Sequence, residues 1–233
     1  MAYVNSLYFT LNAIRIFNHY KKYLNDDMNN NYRICQILSE DIIRSARINY
    51  IVEGKDNVSL DEPFLVASNH VGFFDIAALC CAVDKPMPFA AAKELMENKI
   101  INKYIESIHS VLIDRETEDV KAMKDQLELM EKAISTTGLL LFPEGECSYG
   151  EGDIKEFKKG GFIAARKNDI SIVPTYIDYK KFKRIGRLIV PQEEVKVIFD
   201  EPFKPSDLSE KRKSALELAQ ITRKKVLDLR NTN

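Results

Sequence analysis

The chain has 233 residues, 45% of them hydrophobic and 30% charged, which is enough apolar content for a sizeable core and an ordinary balance for a globular protein. Its 34 basic and 35 acidic residues leave a net charge of -1, so no nucleic-acid partner is expected and any electrostatic partner must meet a local patch. The four cysteines (Cys35, Cys80, Cys81, Cys147) form no Cys-x-x-Cys pair and lack histidines at zinc spacing; no metal site is expected, and reduced thiols are the simplest reading. No run approaches the ~18 to 20 apolar residues that a spanning helix needs, and the first residues do not read as a signal peptide.

In chain order, Val4, Leu7, Tyr8, Leu11, Ile14, Phe17, Tyr20 and Leu24 repeat at helical spacing. A polar break from Asp26 to Asn31 follows, then a second helix on Ile34, Ile37, Leu38 and Ile42 that runs to about Arg47. The two predict an N-terminal helical hairpin over 1–47 that docks on a membrane or packs on the core, since amphipathic helices serve both ends. Residues 48–233 are expected to form one catalytic domain. Short apolar runs at 48–52, 63–68, 88–92, 110–114, 138–142, 170–177, 186–190 and 195–199 read as strands. Helical patterns fall near 75–83, 94–107, 118–135, 159–168 and 209–229, and the third carries an apolar stripe of Val120, Met123, Leu127, Met130 and Ile134. Alternating strands and helices predict an α/β fold: a mixed, largely parallel sheet covered by helices.

Three strand ends carry reactive groups. His70 and Asp75 follow the strand 63–68, and Gly72 between them permits the turn that would let them meet. A carboxylate on one ring nitrogen leaves the other free to take a proton from a hydroxyl. Arg115 ends the strand 110–114 with a phosphate-gripping guanidinium, and Pro143-Glu144-Gly145 ends the strand 138–142 with a carboxylate and a flexible backbone. Lys155, Lys158 and Lys159 precede Gly160-Gly161. Parallel strands would gather these ends on one rim. Gly145-Glu146-Cys147-Ser148-Tyr149-Gly150 has one residue too many for a serine nucleophile elbow. Cys147 has the chemistry to pair with a histidine, but its neighbours in sequence give no argument for it. The segment from Lys180 to Arg187, rich in cations with Tyr179 and Phe182 interleaved, reads as a charged connection suited to an anionic membrane surface or an acyl carrier.

Asn69-His70 with Asp75, Ile113-Asp114-Arg115, Phe142-Pro143-Glu144-Gly145 and Ile172-Val173-Pro174-Thr175 together resemble the four ordered blocks of the glycerolipid acyltransferase family, in particular its 1-acyl-glycerol-3-phosphate acyltransferases. The likeness runs from about 48 to 200. It implies a membrane-associated enzyme of phospholipid biosynthesis that moves a fatty acyl group directly from an acyl-CoA or acyl-carrier-protein thioester to a lyso-lipid hydroxyl, with neither metal nor covalent intermediate. By that resemblance His70 is the base, Asp75 its orienter, and Arg115, Glu144 and Gly145 position the acceptor headgroup, helped by Lys155, Lys158 or Lys159. The block around Val173 and Pro174 would support the acyl donor. The implied location is the cytoplasmic side of a membrane, peripheral or monotopic. The third block usually reads Phe-Pro-Glu-Gly-Thr-Arg-Ser in that family; here Glu146 and Cys147 replace the Thr and the Arg. That substitution leaves open a different lyso-lipid acceptor, or a non-catalytic lipid-binding protein that keeps the fold.

Overall fold

The structure, a computed structural model, describes residues 6–59, 61–209 and 214–232, without the side chains of Ser6 and Leu7. Val4 and the side chain of Leu7 in the first predicted stripe lie outside these residues, as do 210–213 in the last predicted helix.

A five-stranded sheet has the order β1 (Asn49–Glu53), β9 (Glu194–Phe199), β6 (Ser171–Tyr179), β2 (Phe64–Ser68), β5 (Leu139–Leu141). β2 runs parallel to β5 and β6, β6 is antiparallel to β9, and β9 is parallel to β1. A parallel bridge between Phe89 and Leu140 carries the sheet on to the pair β3 (Ala90–Ala92) and β4 (Val111–Ile113). The sheet is therefore mixed and largely parallel. Every residue of β2 is buried, as a central strand with both faces covered must be. Phe64 and Val66 point into a layer with α2 (Met28–Ala46), α3 (Phe74–Ala82) and α4 (Asn102–Ser107). Leu65 and Ala67 point the other way, towards α5 (Val120–Thr136), α6 (Gly160–Lys167) and α7 (Ala215–Thr232). Strand alternation thus feeds two cores from one segment.

The eight predicted strands all form, and several other elements depart from expectation. α2 begins inside the predicted polar break, because the Asp27 side chain accepts from Asn29 N–H and caps it. The helix expected over 94–107 is interrupted where Asn98 Oδ1 accepts from the Ile100 and Ile101 N–H groups, leaving a 3₁₀ turn (Lys93–Glu97) before α4. The stripe of α5 is buried only at Met130 and Ile134, while Val120 and Met123 stand exposed. The charged connection contains a strand, β7 (Phe182–Ile185), antiparallel to β8 (Leu188–Pro191). Gly186, at φ 58°, makes the turn between them.

α2 places Tyr32, Cys35, Leu38, Ile42, Ile43 and Ala46 in the core beside the sheet and buries Ile34 as well, so it is a layer of the fold. At about 1.5–3 kcal/mol per large apolar side chain, that face alone is a major part of the stability. α1 (Ser6–Tyr20) lies on α2 and buries Phe9 against Phe74, while Phe17 packs on Phe73 and on Tyr104 edge-on. Both Phe73 and Phe74 sit where α3 starts, directly before Asp75. The predicted α1 stripe is split: Phe17, Tyr20 and Leu24 turn inward, and Tyr8, Leu11 and Ile14 are exposed. Among the described residues no helix is long and apolar enough to cross a membrane.

Candidate active site

β2, β5, β3 and β4 run parallel, so the segments after them emerge on one rim. Register places Ser68 of β2 opposite Thr175 of β6, and the buried Asn69 side chain then bonds both Ile177 N–H and Ile177 C=O, at 2.8 and 3.0 Å. That clamp fixes where His70 leaves the sheet. Gly72 is not in a left-handed conformation; its role is closeness, since a Cβ there would lie 3.2 Å from Ile189 on β8.

Asp75, in the first turn of α3, is fully buried. Its Oδ2 lies 2.8 Å from His70 Nδ1 and accepts from Val71 N–H at 2.7 Å and Gly72 N–H at 3.0 Å, while Tyr179 O–H donates to Oδ1. Four donors around one carboxylate satisfy it in a buried place. With the carboxylate on Nδ1, the proton sits there and Nε2 is the basic nitrogen. The Phe142 ring stacks on the imidazole at 3.9 Å and fixes its plane. Burial lowers the His70 pKa, but hydrogen bonds to Asp75 and Cys147 outweigh it and raise the group from 6.5 to about 9.

The other functional side chains divide between buried and exposed. Glu144 is buried, with Oε1 accepting from His70 N–H at 2.7 Å and Oε2 from Lys155 N–H at 2.9 Å. Burial pushes its carboxyl above the ordinary range against the pull of those two amides. Both oxygens are committed to backbone, so Glu144 staples the His70 loop to the 154–155 segment. Gly145, at φ 79°, puts its carbonyl 2.8 Å from an Arg115 nitrogen, and a Cβ there would collide with the Lys158 side chain at 2.6 Å. Arg115 also faces Glu94 at 3.5 Å, and Lys155 pairs with Glu146 at 2.9 Å. Lys155, then Lys158 and Arg115, hold the Glu146 carboxyl below its usual range. These cations therefore surround one exposed carboxylate. Lys159 stands exposed at the N-cap position of α6 without a side-chain cap bond, and has no hydrogen bond or ion pair to this group among the described residues. Val173 and Thr175 are fully buried in β6.

Sequence reasoning missed Tyr179 as the partner of Asp75 and Phe142 as the stacking ring, and it raised a Cys147–histidine pairing without an argument for it. The Cys147 sulfur lies 3.0 Å from His70 Nε2. Two backbone bonds put it there: Ser148 N–H to His70 C=O at 2.8 Å, and Tyr149 N–H to Val71 C=O at 3.0 Å. Cys147 is 77 positions from His70, and no local pattern announces such a pairing.

A hydrogen-bonded carboxylate–imidazole pair beside a cationic rim suits proton abstraction from a hydroxyl. A family profile described as "Acyltransferase" matches residues 49–178, which contain His70, Asp75, Arg115 and Glu144. The chain belongs to the acyltransferase family. This acyltransferase is 26% identical over 179 residues to a 1-acyl-sn-glycerol-3-phosphate acyltransferase of Bacillus subtilis, covering 76% of this chain and 85% of that protein. It is 31% identical over 157 residues to a chloroplastic 1-acyl-sn-glycerol-3-phosphate acyltransferase of Arabidopsis thaliana, covering 65% of this chain and 43% of that one. A crystal structure of the 1-acyl-sn-glycerophosphate acyltransferase PlsC from Thermotoga maritima shares the fold. Its TM-score is 0.74 at 24% identity, over 94% of this chain and 90% of that chain.

Proposed function

We propose that this acyltransferase esterifies the free hydroxyl of 1-acyl-glycerol-3-phosphate with a fatty acyl group carried as a thioester, on coenzyme A or on an acyl-carrier protein. The observation that carries the reading is the buried Asp75 carboxylate on His70 Nδ1, which leaves Nε2 as the basic nitrogen at the rim. His70 takes the hydroxyl proton, Asp75 stabilises the imidazolium, and the alkoxide attacks a thioester carbonyl. Arg115 and Lys158 meet beside Gly145, where they would bind the acceptor phosphate. Lys155 and Lys159 add charge to the same rim. The exposed Tyr8, Leu11 and Ile14 of α1 supply an apolar face for the lipid surface that holds the acceptor, on its cytoplasmic side by this reading.

One observation favours a second acceptor. Glu146 stands among the cations that would bind phosphate, which suits a lyso-lipid whose headgroup carries positive charge as well. The test is phosphatidate formation, followed by mass spectrometry in mixed micelles with 1-acyl-glycerol-3-phosphate and palmitoyl thioesters of both carriers. A zwitterionic lysophospholipid serves as competing acceptor. His70→Ala should lose at least ~100-fold in rate. If the wild type acylates neither acceptor from either donor, the reading is wrong; if it prefers the zwitterionic one, the second acceptor is right.

A further inference from the structure

The carboxylate, the imidazole and the thiol form a line. Asp75 Oδ2 is 2.8 Å from His70 Nδ1, and Cys147 Sγ is 3.0 Å from His70 Nε2. A nucleophile, a base and an orienter in that order are the parts of covalent acyl transfer. Cys147 is half-buried, whereas Cys35 and Cys80 are sealed in the core. The other thiols differ: burial pushes Cys35 up to about 12 and raises Cys80 and Cys81, and none of the three has an imidazole beside it among the described residues. The loop that carries Cys147 is stitched to the His70 loop by the Ser148 and Tyr149 amides. The Glu146 and Cys147 N–H groups have no hydrogen-bond partner among the described residues, so both amides are free to bond a substrate oxygen or water.

We propose that Cys147 is the nucleophile that takes the acyl group from the donor thioester, and that the lipid hydroxyl attacks this acyl-cysteine rather than the donor. The inference rests on the acyl-transfer reading above and changes its route. In the first half, the Cys147 proton passes to His70 Nε2 and the sulfur attacks the donor carbonyl. The new sulfur–carbon bond forms, the donor carbon–sulfur bond breaks, and the leaving thiolate takes the proton back from His70. One thioester replaces another, so the acyl group keeps its reactivity toward oxygen. In the second half, His70 removes the acceptor hydroxyl proton, the oxygen–carbon bond forms, and the Cys147 sulfur leaves and recovers its proton. No further reactant is needed. The geometry also supplies a reason for two steps. In the free protein the thiol occupies Nε2, where an acceptor hydroxyl must bind for direct transfer. Once acylated, the sulfur has no proton to share, and Nε2 is open to the acceptor.

The test begins with wild-type full-length protein and palmitoyl thioesters of coenzyme A and acyl-carrier protein, without acceptor. Rapid quenching and intact-mass measurement should show one palmitoyl group per chain, located on Cys147 by peptide mapping and released by neutral hydroxylamine. Addition of 1-acyl-glycerol-3-phosphate should discharge it into phosphatidate at least as fast as steady-state turnover, and Cys147→Ala should lose at least ~100-fold in rate. Absence of the adduct, or an adduct that forms or decays more slowly than turnover, overturns the proposal even if Cys147→Ala fails to fold. A Cys147→Ala protein as fast as wild type overturns it too, and if His70→Ala is then still inactive, direct transfer and the acyltransferase reading both stand. No phosphatidate and no adduct from either donor sinks both.

Discussion

The rim of the sheet has two halves built on opposite principles. On the His70 half, Asp75 is fully buried and saturated by four donors, Asn69 is clamped to β6, and Phe142 fixes the imidazole plane. On the Arg115 half, the charges are exposed and paired with one another: Arg115 with Glu94, Lys155 with Glu146, Lys93 with Asp114. Buried, fully satisfied networks have one arrangement, because any other leaves a polar group unpaired. Exposed ion pairs cost little to rearrange and are screened by salt. The first half is suited to chemistry, which needs fixed geometry; the second is suited to headgroup choice, which can change by substitution without unfolding the protein.

The largest effect should follow from breaking the buried half. Asp75→Ala leaves Tyr179 O–H and the Val71 and Gly72 N–H groups without their acceptor, and should cost about 3 kcal/mol or more of stability in urea unfolding. Activity should fall by at least ~100-fold even in the fraction that stays folded. Tyr179→Phe keeps the ring but leaves Asp75 Oδ1 without its hydroxyl, so it should cost about 1–3 kcal/mol. If Asp75→Ala is as stable as wild type, the network is decoration. Glu144→Gln comes next: its amide would point hydrogens at one of the two backbone N–H groups it now serves, for a loss of about 1–3 kcal/mol.

Much of this contrast was readable in the amino-acid order, and the unreadable part has a physical cause. Strand ends bearing His70, Arg115 and Glu144 were visible because a buried parallel strand is a short apolar run, and runs are local. The spacing of His70 and Asp75 was visible for the same reason. Tyr179 and Cys147 were not, because their contacts join segments 104 and 77 positions apart and depend on β6 lying beside β2 and on two loop amides. The α1 stripe misled in a different way. Periodicity says that a face is apolar without saying what covers it, and α1 shares its apolar residues between the core and the exterior. β7 was missed because Lys183 and Arg184 sit together between Phe182 and Ile185, so no apolar run or alternation marks it.

On the exposed half, Arg115→Ala removes a charge-assisted hydrogen bond to the Gly145 carbonyl and the cation nearest the proposed phosphate position. At about 1.5–3 kcal/mol for the charge-assisted contact it would make to the phosphate, KM for the acceptor should rise roughly ten- to a hundredfold with kcat less affected, while loss of the exposed bond to Gly145 should cost little stability. A fall in kcat at constant KM would move Arg115 to the chemical step. The junction between the halves is Cys147, and it can be read by titration. The folded His70 pKa lies above 6.5, so the contribution of its protonated form to stability is fully present below pH 6.5 and is lost as pH rises through about 9. Cys147→Ala removes two of the influences that raise it, so the imidazole NMR titration midpoint should fall, and the loss of stability, which starts near pH 6.5 in both proteins, should be smaller and complete at lower pH. An unmoved midpoint would mean that the thiol and the ring do not share a proton.

The smallest effect belongs to Glu146, and it bears most directly on the acceptor. Its carboxylate lies with Lys155 at 2.9 Å and within the field of Lys158 and Arg115, so it cancels part of the positive charge that a phosphate monoester would meet. Glu146→Thr frees Lys155 and leaves three cations facing the headgroup position. Because all these groups are exposed, the gain should be modest: KM for 1-acyl-glycerol-3-phosphate should fall by less than about fivefold. The gain should shrink as ionic strength rises, since the Debye length drops from about 10 Å at 0.1 M salt to about 3 Å at 1 M. A zwitterionic lysophospholipid should respond in the opposite sense, losing the anion that faces its cationic group. Kinetics with both acceptors at two salt concentrations separate the outcomes. If both KM values fall together, Glu146 acts on loop position rather than on charge, and the exposed half of the rim is as rigid as the buried one.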